Sequence, residues 1–477
     1  MVNLRSENFS IVLPIIMKMR LEIRLIIFPV ITKFKIFFTE MLEDKNFGII
    51  LKGGMVSFIA KLVAVPISLL TSFILAKYYG AETVGDLALI TSFLTISTLF
   101  VTIGLDSSLI RFIPEQLSKH GFFGVRVIFL NAVKIVILTG FLVTLICLYS
   151  VSLLATQLFK NINLEQWLYV ATFLIVIVSL SNISTAVVRS LQRVELLSIL
   201  QLLQPFLWLT FLVVMTRWFY SVDGPFYTYF LSLTIAAMAS TVVVFKLFGY
   251  KKNLKKQADH VMYSPSEMLE ISWPMFLIGG MGLVISQTDI LMLGAMTKAE
   301  EVGVYSIVMK LGMGVNFILM SINTVLAPKF SELYYGNRID ELSVVATKSA
   351  KLTFVCTLPI ILILGFLGEY ILGYFSKVFV EGYTALVFIL LGQFVNIMCG
   401  SVGYFLTMTG EQKAFNYIIF MGGGVNILLN LLLIPKYGID GAAAASFVST
   451  CLWNIAALKY IKNKYNLYIG YWPFVLR

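Results

Sequence analysis

The chain carries little charge for its length. Of its 477 residues, 25 are acidic and 36 are basic, so charged side chains make up only 13% of the sequence. Soluble domains carry about 25% charged residues. Hydrophobic residues make up 59%, and the mean hydropathy is +0.90. These values exclude a soluble globular protein and indicate a chain that resides in a lipid bilayer.

Cysteine and histidine are also scarce. The four cysteines, at positions 147, 356, 399 and 451, lie far apart in apolar runs, and this spacing fits neither a zinc site nor a disulfide framework. The two histidines, His120 and His260, stand alone in polar segments. We therefore predict no metal centre and no cofactor.

The sequence also lacks the motifs of enzymes. It contains no glycine-rich phosphate loop with its lysine, no nucleophile elbow and no paired carboxylates within one loop. The predicted outer loops are short and leave no room for a catalytic region of the kind that membrane glycosyltransferases carry. We predict that the chain is not an enzyme, and a membrane glycosyltransferase or polymerase is the weaker alternative.

Long apolar runs dominate what is present. A run of about 20 apolar residues crosses the hydrocarbon core of a bilayer. Such runs form helices, because an open sheet leaves backbone groups unsatisfied in lipid. We predict an all-α integral membrane protein with about twelve transmembrane helices. The runs lie near 53–77, 84–105, 128–150, 166–188, 199–217, 226–247, 271–295, 303–327, 350–372, 384–409, 414–434 and 440–460.

The basic residues predict the orientation of these helices. With both termini in the cytosol, six of the 36 lysines and arginines fall in outer loops, three fall inside apolar runs and 27 fall in cytosolic segments. Cytosolic loops of membrane proteins carry such an excess. The net charge of +11 is thus explained by topology and by contact with anionic membrane lipid, and nucleic-acid binding is not expected.

The chain divides into two similar halves. We predict a cytosolic or membrane-surface lead over 1–50, a lobe of six helices over 51–247, a basic cytosolic linker over 248–270, a second lobe over 271–460 and a cytosolic tail over 461–477. The segment AETVG at 81–85 recurs as AEEVG at 299–303, and the VDG at 222–224 is similar to the IDG at 439–441. Matches at nearly constant offset predict an internal repeat, with a pseudo-two-fold axis and a central cavity between the lobes.

Charged residues inside the apolar runs mark a candidate site. Lys61 and Lys310 lie in the first and eighth runs, and Asp289 lies in the seventh. A lysine at the bilayer centre costs about 2.5–3.5 kcal/mol on insertion scales, so it needs a compensating role. Ser57 and Ser68 share a helical face with Lys61. This polar face, together with the charged residues of the seventh and eighth runs, predicts the wall of a polar cavity for an anion. Tight helix packing is the alternative, and Lys310 is also expected as a counter-charge for Asp289.

Three segments resemble a known family. GLDSSLIRFIPE (104–115), DILMLG (289–294) and IPKYGIDGA (434–442) are similar to segments of the polysaccharide-biosynthesis flippases. Those proteins belong to the multidrug/oligosaccharidyl-lipid/polysaccharide (MOP) exporter superfamily. The resemblance covers roughly residues 50–460.

The resemblance implies a function and a set of roles. It implies two six-helix bundles around a V-shaped cavity, and translocation of a polyprenyl-(pyro)phosphate-linked oligosaccharide across the cell membrane for glycan assembly. Lys61 would meet the phosphate, Asp289 would bind a coupling ion (H⁺ or Na⁺), and Arg111 would guide the head group at the inner mouth. Lys310, Ser57 and Ser68 complete the expected cavity. We expect a functional monomer that works with glycan assembly proteins. A drug or metabolite exporter on the same scaffold and a non-transporting scaffold protein remain alternatives.

Overall fold

The computed structural model describes residues 45–249 and 263–472. The predicted lead over 1–50 and the linker over 248–270 lie mostly outside these ranges, as does the end of the predicted tail over 461–477. The chain divides into two compact units, Met1–Ile59 and Ala60–Arg477. All contacts given below lie within the second unit.

The described residues are helical, with no strand among them, which confirms the predicted all-α fold. Pairs of neighbouring helices are joined by short turns. A π-helical turn spans Leu154–Leu158, and a 3₁₀ turn spans Lys377–Gly382. The α-helices are α1 (Lys45–Thr102), α2 (Leu105–Leu153), α3 (Asn163–Ser190), α4 (Val194–Trp218), α5 (Gly224–Gly249), α6 (Pro265–Met296), α7 (Ala299–Tyr335), α8 (Ile339–Phe375), α9 (Tyr383–Cys399), α10 (Val402–Met408) and α11 (Gln412–Tyr465).

Glycines break the three longest helices. Gly80 in α1, Gly121 in α2 and Gly438 in α11 have φ angles of 86°, 63° and 54°, a left-handed conformation that glycine adopts without steric cost. The breaks at Gly80 and Gly438 fall between apolar runs that are predicted above as separate transmembrane helices. Nine helices within the described ranges are long and apolar enough to cross a membrane. The predicted number of about twelve transmembrane helices stays a prediction.

The backbone repeats the turns of the first half in the second. When the halves are aligned on the repeated segments, Gly121 falls close to Asn337, and both have left-handed φ angles, of 63° and 56°. Gln192 corresponds to Gly410, and these residues have left-handed φ angles of 55° and 85°. A non-glycine residue in this conformation costs about 1–2 kcal/mol. The turn geometry is therefore imposed by the fold at Gln192 and Asn337, as an internal repeat requires.

Packing follows the same division. In the first half α2 packs against α3, α3 against α5, and α4 against α5; in the second, α9 packs against α7, α8 and α11. Helix α2 also contacts α6 of the second half. Large apolar side chains such as Leu138, Ile146 and Phe366 are exposed. An apolar exterior of this kind is what a bilayer requires.

The two halves meet at the repeated AETVG and AEEVG segments. A Cβ atom on Gly85 would lie 1.8 Å from the carbonyl oxygen of Ala299, and one on Gly303 would lie 1.9 Å from that of Ala81. Only glycine permits such an approach of two backbones. The contact is reciprocal, as in an interface between two-fold-related elements. We call it the glycine contact, and we call its end of the bundle the outer end, after the orientation that the basic residues predict.

Candidate functional site

Two hydrogen bonds join the halves further in from the glycine contact. Seven residues past each glycine, a side chain reaches across to the other half: Ser92 Oγ donates to Gln287 Oε1, and Lys310 Nζ donates to Ser72 Oγ. Each bond is 2.8 Å long. Seven helical residues rise about 10 Å, so both bonds lie at a similar depth. Only one of the two carries a charge.

Lys310 is half-buried between the halves and has no counter-ion among the described residues. Its partner Ser72 is 1% exposed, and a serine hydroxyl leaves the ammonium charge uncompensated. Within the described residues, no carboxylate lies within ion-pair distance of Lys310. An anion that reached this point would supply the missing charge.

Small and polar residues are exposed on the inner side of Lys310. Ser68 lies one turn inward on α1 and is exposed, and Gly282 and Ser286 of α6 are exposed as well. A Cβ atom on Gly282, or on Gly314 of α7, would meet nothing within 4 Å. Small residues that serve helix packing in membranes are covered by the neighbouring helix. The exposure of these residues therefore does not fit close helix packing at these positions.

Four threonines on one face of the apolar run at 84–105 behave differently. Thr91, Thr95, Thr98 and Thr102 each donate a hydroxyl to a carbonyl three or four residues earlier in α1. Thr98 and Thr102 are also buried. These contacts satisfy the hydroxyls within the helix, so for these threonines the contacts favour the packing alternative.

Asp289 is a buried carboxylate surrounded by neutral donors. It is 5% exposed. Tyr305 Oη donates to its Oδ2 and Asn430 Nδ2 to its Oδ1, both over 2.7 Å, and Ser446 Oγ also donates to Oδ2. These three hydrogen bonds fix the orientation of the carboxyl group between α6, α7 and α11. Asp289 makes no ion pair with Lys310, so the contacts do not show the counter-charge role considered for that lysine.

Two asparagines extend this cluster. Asn430 Nδ2 also donates to Asn426 Oδ1 over 3.1 Å, and Asn426 Nδ2 donates to Ser446 Oγ over 3.3 Å. Asn430 Oδ1 is buried and has no hydrogen-bond partner within the described residues. Leaving a buried acceptor unpaired costs about 1–3 kcal/mol. The cluster of one carboxylate, amide oxygens and hydroxyls offers the oxygen ligands that hard cations prefer.

Sequence reasoning identified Asp289 but missed its partners. Tyr305, Asn426, Asn430 and Ser446 are neutral and do not stand out from the polar residues of other membrane helices. One signal was available: Asn426 and Asn430 are four residues apart in an apolar run, so they share a helical face.

The remaining predicted residues are placed apart from Lys310 or are not described. Arg111 lies near the contact between Ser108 and Ser272, whose hydroxyl oxygens are 2.6 Å apart. Ser272 precedes Gln287 on α6 by 15 residues, which is about 22 Å along a helix axis. Arg111 is exposed and makes no hydrogen bond within the described residues. The side chains at positions 57 and 61 lie outside the described part of the structure.

Comparisons with known sequences agree with the resemblance stated above. The model of the polysaccharide biosynthesis protein family matches residues 50–334, and that of the MatE family matches residues 274–432. An uncharacterized membrane protein of Methanocaldococcus jannaschii is 23% identical over 420 residues, which cover 82% of this chain and 80% of that protein.

Solved transporters share the fold. The lipid II flippase MurJ in an inward closed conformation has a TM-score of 0.69 at 14% identity, over 86% of this chain and 87% of MurJ. A multidrug resistance MATE family transporter of the MOP superfamily, inward-facing, has a TM-score of 0.67 at 11% identity, over 87% and 98%. A MOP superfamily transporter from Pyrococcus furiosus has a TM-score of 0.60 at 12% identity, over 88% and 95%.

At these identities the likeness establishes the fold alone, which this chain shares with multi-pass transporters and flippases. The first family match spans more than half of the chain. It confirms the resemblance that the sequence motifs carry. The chain belongs to the polysaccharide biosynthesis protein family.

Proposed function

We propose that the chain is a flippase that moves a polyprenyl-(pyro)phosphate-linked oligosaccharide from the cytosolic to the outer leaflet of the cell membrane. Residues 51–247 and 271–460 form the two lobes. They alternate access by rocking about the surface where they meet, which contains Lys310 and which we call the seam. Both termini lie in the cytosol, where anionic lipid contacts the basic segments. The monomer is the transporting unit, and glycan assembly proteins deliver and receive the lipid.

The position of Lys310 is the observation that supports this proposal most directly. Its ammonium group lies at the seam, lacks a carboxylate partner among the described residues and borders the open inner face that includes Ser68. A phosphate gains a counter-charge there, and sugar hydroxyls gain hydrogen-bonding partners. The lipid tail stays between the lobes, so only the head group crosses about 30 Å of hydrocarbon inside the protein.

The other cationic roles follow from the resemblance. Lys61 and Ser57 extend the cavity wall on the first helix, with Lys61 toward the phosphate. Arg111 guides the head group at the inner mouth, and its exposure near the inner end of α2 is compatible with that role.

Asp289 binds the coupling ion, H⁺ or Na⁺, in this proposal. The buried carboxylate and the unpaired Oδ1 of Asn430 offer oxygen atoms to a cation. Tyr305, which donates to Asp289, lies on α7 five residues before Lys310. Binding that shifts Tyr305 thereby moves the helix that carries Lys310, which gives a physical link between the ion and the cargo.

Reconstitution in liposomes tests the function. A fluorescent polyprenyl-pyrophosphate oligosaccharide is placed in both leaflets, and its access to an external quencher is followed for wild type, Lys61→Ala, Lys310→Met and the outer-loop control Lys377→Met. We expect Lys310→Met to slow translocation about tenfold, since hydrogen bonds to charged groups contribute about 1.5 kcal/mol or more. Lys377→Met should match wild type. No movement by wild type overturns the flippase proposal, whereas wild-type rates in both cavity variants overturn only the residue assignment.

A drug or metabolite exporter is the second candidate. The MatE match over 274–432 and the multidrug transporter neighbours favour it. An organic cation would be repelled by Lys310, which has no neutralising partner among the described residues. Uptake of a fluorescent organic cation into the same liposomes, abolished by Asp289→Asn, would favour the exporter instead.

A further inference from the structure

We propose that the outer end holds a second binding site, for a phosphate attached to a hydroxyl-rich group, as in a glycosyl phosphate. A cavity of about 740 Å³ lies there. Ligand pockets typically measure about 300–1,000 Å³. The walls come from α1, from the turn between α2 and α3, from the junction of α6 and α7, and from the break in α11, so both halves contribute.

Three lysines from separate segments converge on this cavity. They are Lys160, Lys298 and Lys436, three of the six basic residues that the orientation assigns to outer loops. All three are exposed, and their ammonium groups make no hydrogen bond or ion pair within the described residues. Three ammonium groups with no hydrogen-bonded or ion-paired partner among the described residues therefore line one cavity, where they can donate to an anion.

The turn that carries Lys160 is held in an unusual conformation. It follows the π-helical turn Leu154–Leu158, and Lys160 has a left-handed φ of 49°. Asn161 Nδ2 donates to Oδ1 of Asp86, which is only 6% exposed, over 2.9 Å. A strained residue persists only where its surroundings impose the conformation, and such residues cluster at functional sites. The buried Asp86 thus fixes the turn from which Lys160 extends.

The other two lysines also lie at interruptions of helices. Lys298 is the residue before α7, and Lys436 lies two residues before the break at Gly438. A Cβ atom on Gly438 would lie 2.8 Å from Oε2 of Glu301, so the glycine lets α11 pack against the first turn of α7. The fold therefore sets the positions of all three lysines relative to the cavity.

The charge balance selects the ligand. Glu82, Glu300 and Glu301 line the same cavity, so three carboxylates face three ammonium groups. A bare anion gains no net attraction from such a set. A glycosyl phosphate offers an anion to the lysines and hydroxyl donors to the carboxylates. This inference rests on the proposed function, in which the site receives the head group as it leaves at the outer end.

Protection of the lysines from acylation tests the site. The protein in phosphatidylcholine nanodiscs is treated with a membrane-impermeant acylating reagent, and labelling is followed peptide by peptide in glucose 1-phosphate, glucose or inorganic phosphate. At twice the dissociation constant, labelling of the three cavity lysines should slow about threefold. Lys77 and Lys377, outer-loop lysines that do not line the cavity, should label at unchanged rates in every condition.

Further measurements distinguish the possible sources of the bound phosphate and test the role of the turn that carries Lys160. No protection of the cavity lysines at about 10 mM glucose 1-phosphate, ten times the roughly 1 mM that marks weak binding, overturns the site. Equal protection by inorganic phosphate, or by phosphatidylglycerol nanodiscs alone, overturns the glycosyl-phosphate assignment.

Asp86→Ala should reduce the protection of Lys160 more than Asp86→Asn, which keeps the acceptor for Asn161. Since these are binding measurements, protection without translocation would refute the flippase proposal alone, and translocation without protection would refute this site alone.

Discussion

Where the C-terminal half carries Lys310, the N-terminal half carries Ser92, and each lies seven positions past the glycine of its repeated segment. Both side chains reach across to the opposite half over 2.8 Å, Ser92 to Gln287 and Lys310 to Ser72. The backbone contacts beside them are reciprocal as well. The repeat has therefore kept the geometry of the seam and changed its charge on one side only.

The polar cluster around Asp289 shows the same asymmetry. When the halves are aligned on the repeated segments, Asp289, Asn430 and Ser446 correspond to Thr71, Val213 and Tyr229. Thr71 donates its hydroxyl to its own helix, and Tyr229 packs edge-on against the ring of Trp208. The N-terminal half thus has an apolar contact where the C-terminal half has a polar cluster. In the proposed mechanism, ion binding belongs to one half, and the other half provides the surface against which it moves.

The largest expected effect tests the part of the seam that is symmetric. Gly85→Ala and Gly303→Ala each place a methyl group less than 2 Å from a backbone oxygen of the opposite half. Overpacking costs about 1–3 kcal/mol and more where backbone is the neighbour. We expect both variants to lower the thermal unfolding temperature in detergent by similar amounts.

Gly314→Ala is the matched control, because its Cβ atom meets nothing within 4 Å on the same helix as Gly303. It should leave the unfolding temperature unchanged or raise it, since alanine favours a helix by about 0.5–1 kcal/mol over glycine. Unequal effects of Gly85→Ala and Gly303→Ala would show that the two glycines are not equivalent.

The next effect concerns the asymmetric cluster. Asp289→Asn removes the charge and replaces one acceptor oxygen by a donor that faces the groups now donating to it. Losing a charged group with its hydrogen bonds costs about 1.5–3 kcal/mol, so ion-dependent translocation should fall about 10- to 100-fold. Thr71→Ala, at the corresponding position of the N-terminal half, should change the rate less than about threefold. Translocation measured with and without a Na⁺ or H⁺ gradient checks this, and unaltered gradient dependence in Asp289→Asn would contradict the assignment.

The sequence reveals charges in apolar runs better than it reveals their partners. Lys310 and Asp289 stand out because a charge at membrane depth is costly. Tyr305 and Asn430 do not, since neutral polar residues are common where membrane helices pack. The helical fold follows from the apolar runs, and the repeat follows from the AETVG and AEEVG segments. The convergence of Lys160 with the other outer lysines depends on how distant turns pack, which no local pattern specifies.

A smaller effect should separate Lys310 from its counterpart. Lys310→Ser gives the C-terminal half the residue of the N-terminal half and removes the charge from the seam. We expect slower translocation with little change in the unfolding temperature, and Lys310→Arg should retain most of the rate. Ser92→Ala removes a neutral hydrogen bond that contributes about 0.5–1.5 kcal/mol, so it should act on stability instead. Equal translocation rates for Lys310→Ser and Ser92→Ala would show that the charge is not used.

The smallest effect distinguishes the turns that precede α4 and α11. In the same alignment of the halves, Glu411 lies where the N-terminal half has Arg193. A hydrogen bond from Lys464, together with one from Tyr460 over 2.5 Å, holds the pKa of the Glu411 carboxyl below its ordinary value of 4.5. The unfolded chain therefore takes up the proton first as the pH falls. The stabilisation is complete above the ordinary value and is lost as the pH falls through the lowered pKa.

Glu411→Gln should accordingly lower the unfolding temperature at pH 7 by a small amount, as expected for an ion pair at the surface. The difference from wild type should shrink as the pH falls below 4.5 and vanish once Glu411 is protonated in the folded protein. Glu195→Gln, in the corresponding turn of the first half, serves as the control, because Glu195 makes no ion pair within the described residues. A Glu411→Gln difference that stays constant from pH 7 to pH 3 would mean that the turn is stabilised by packing and not by this charge.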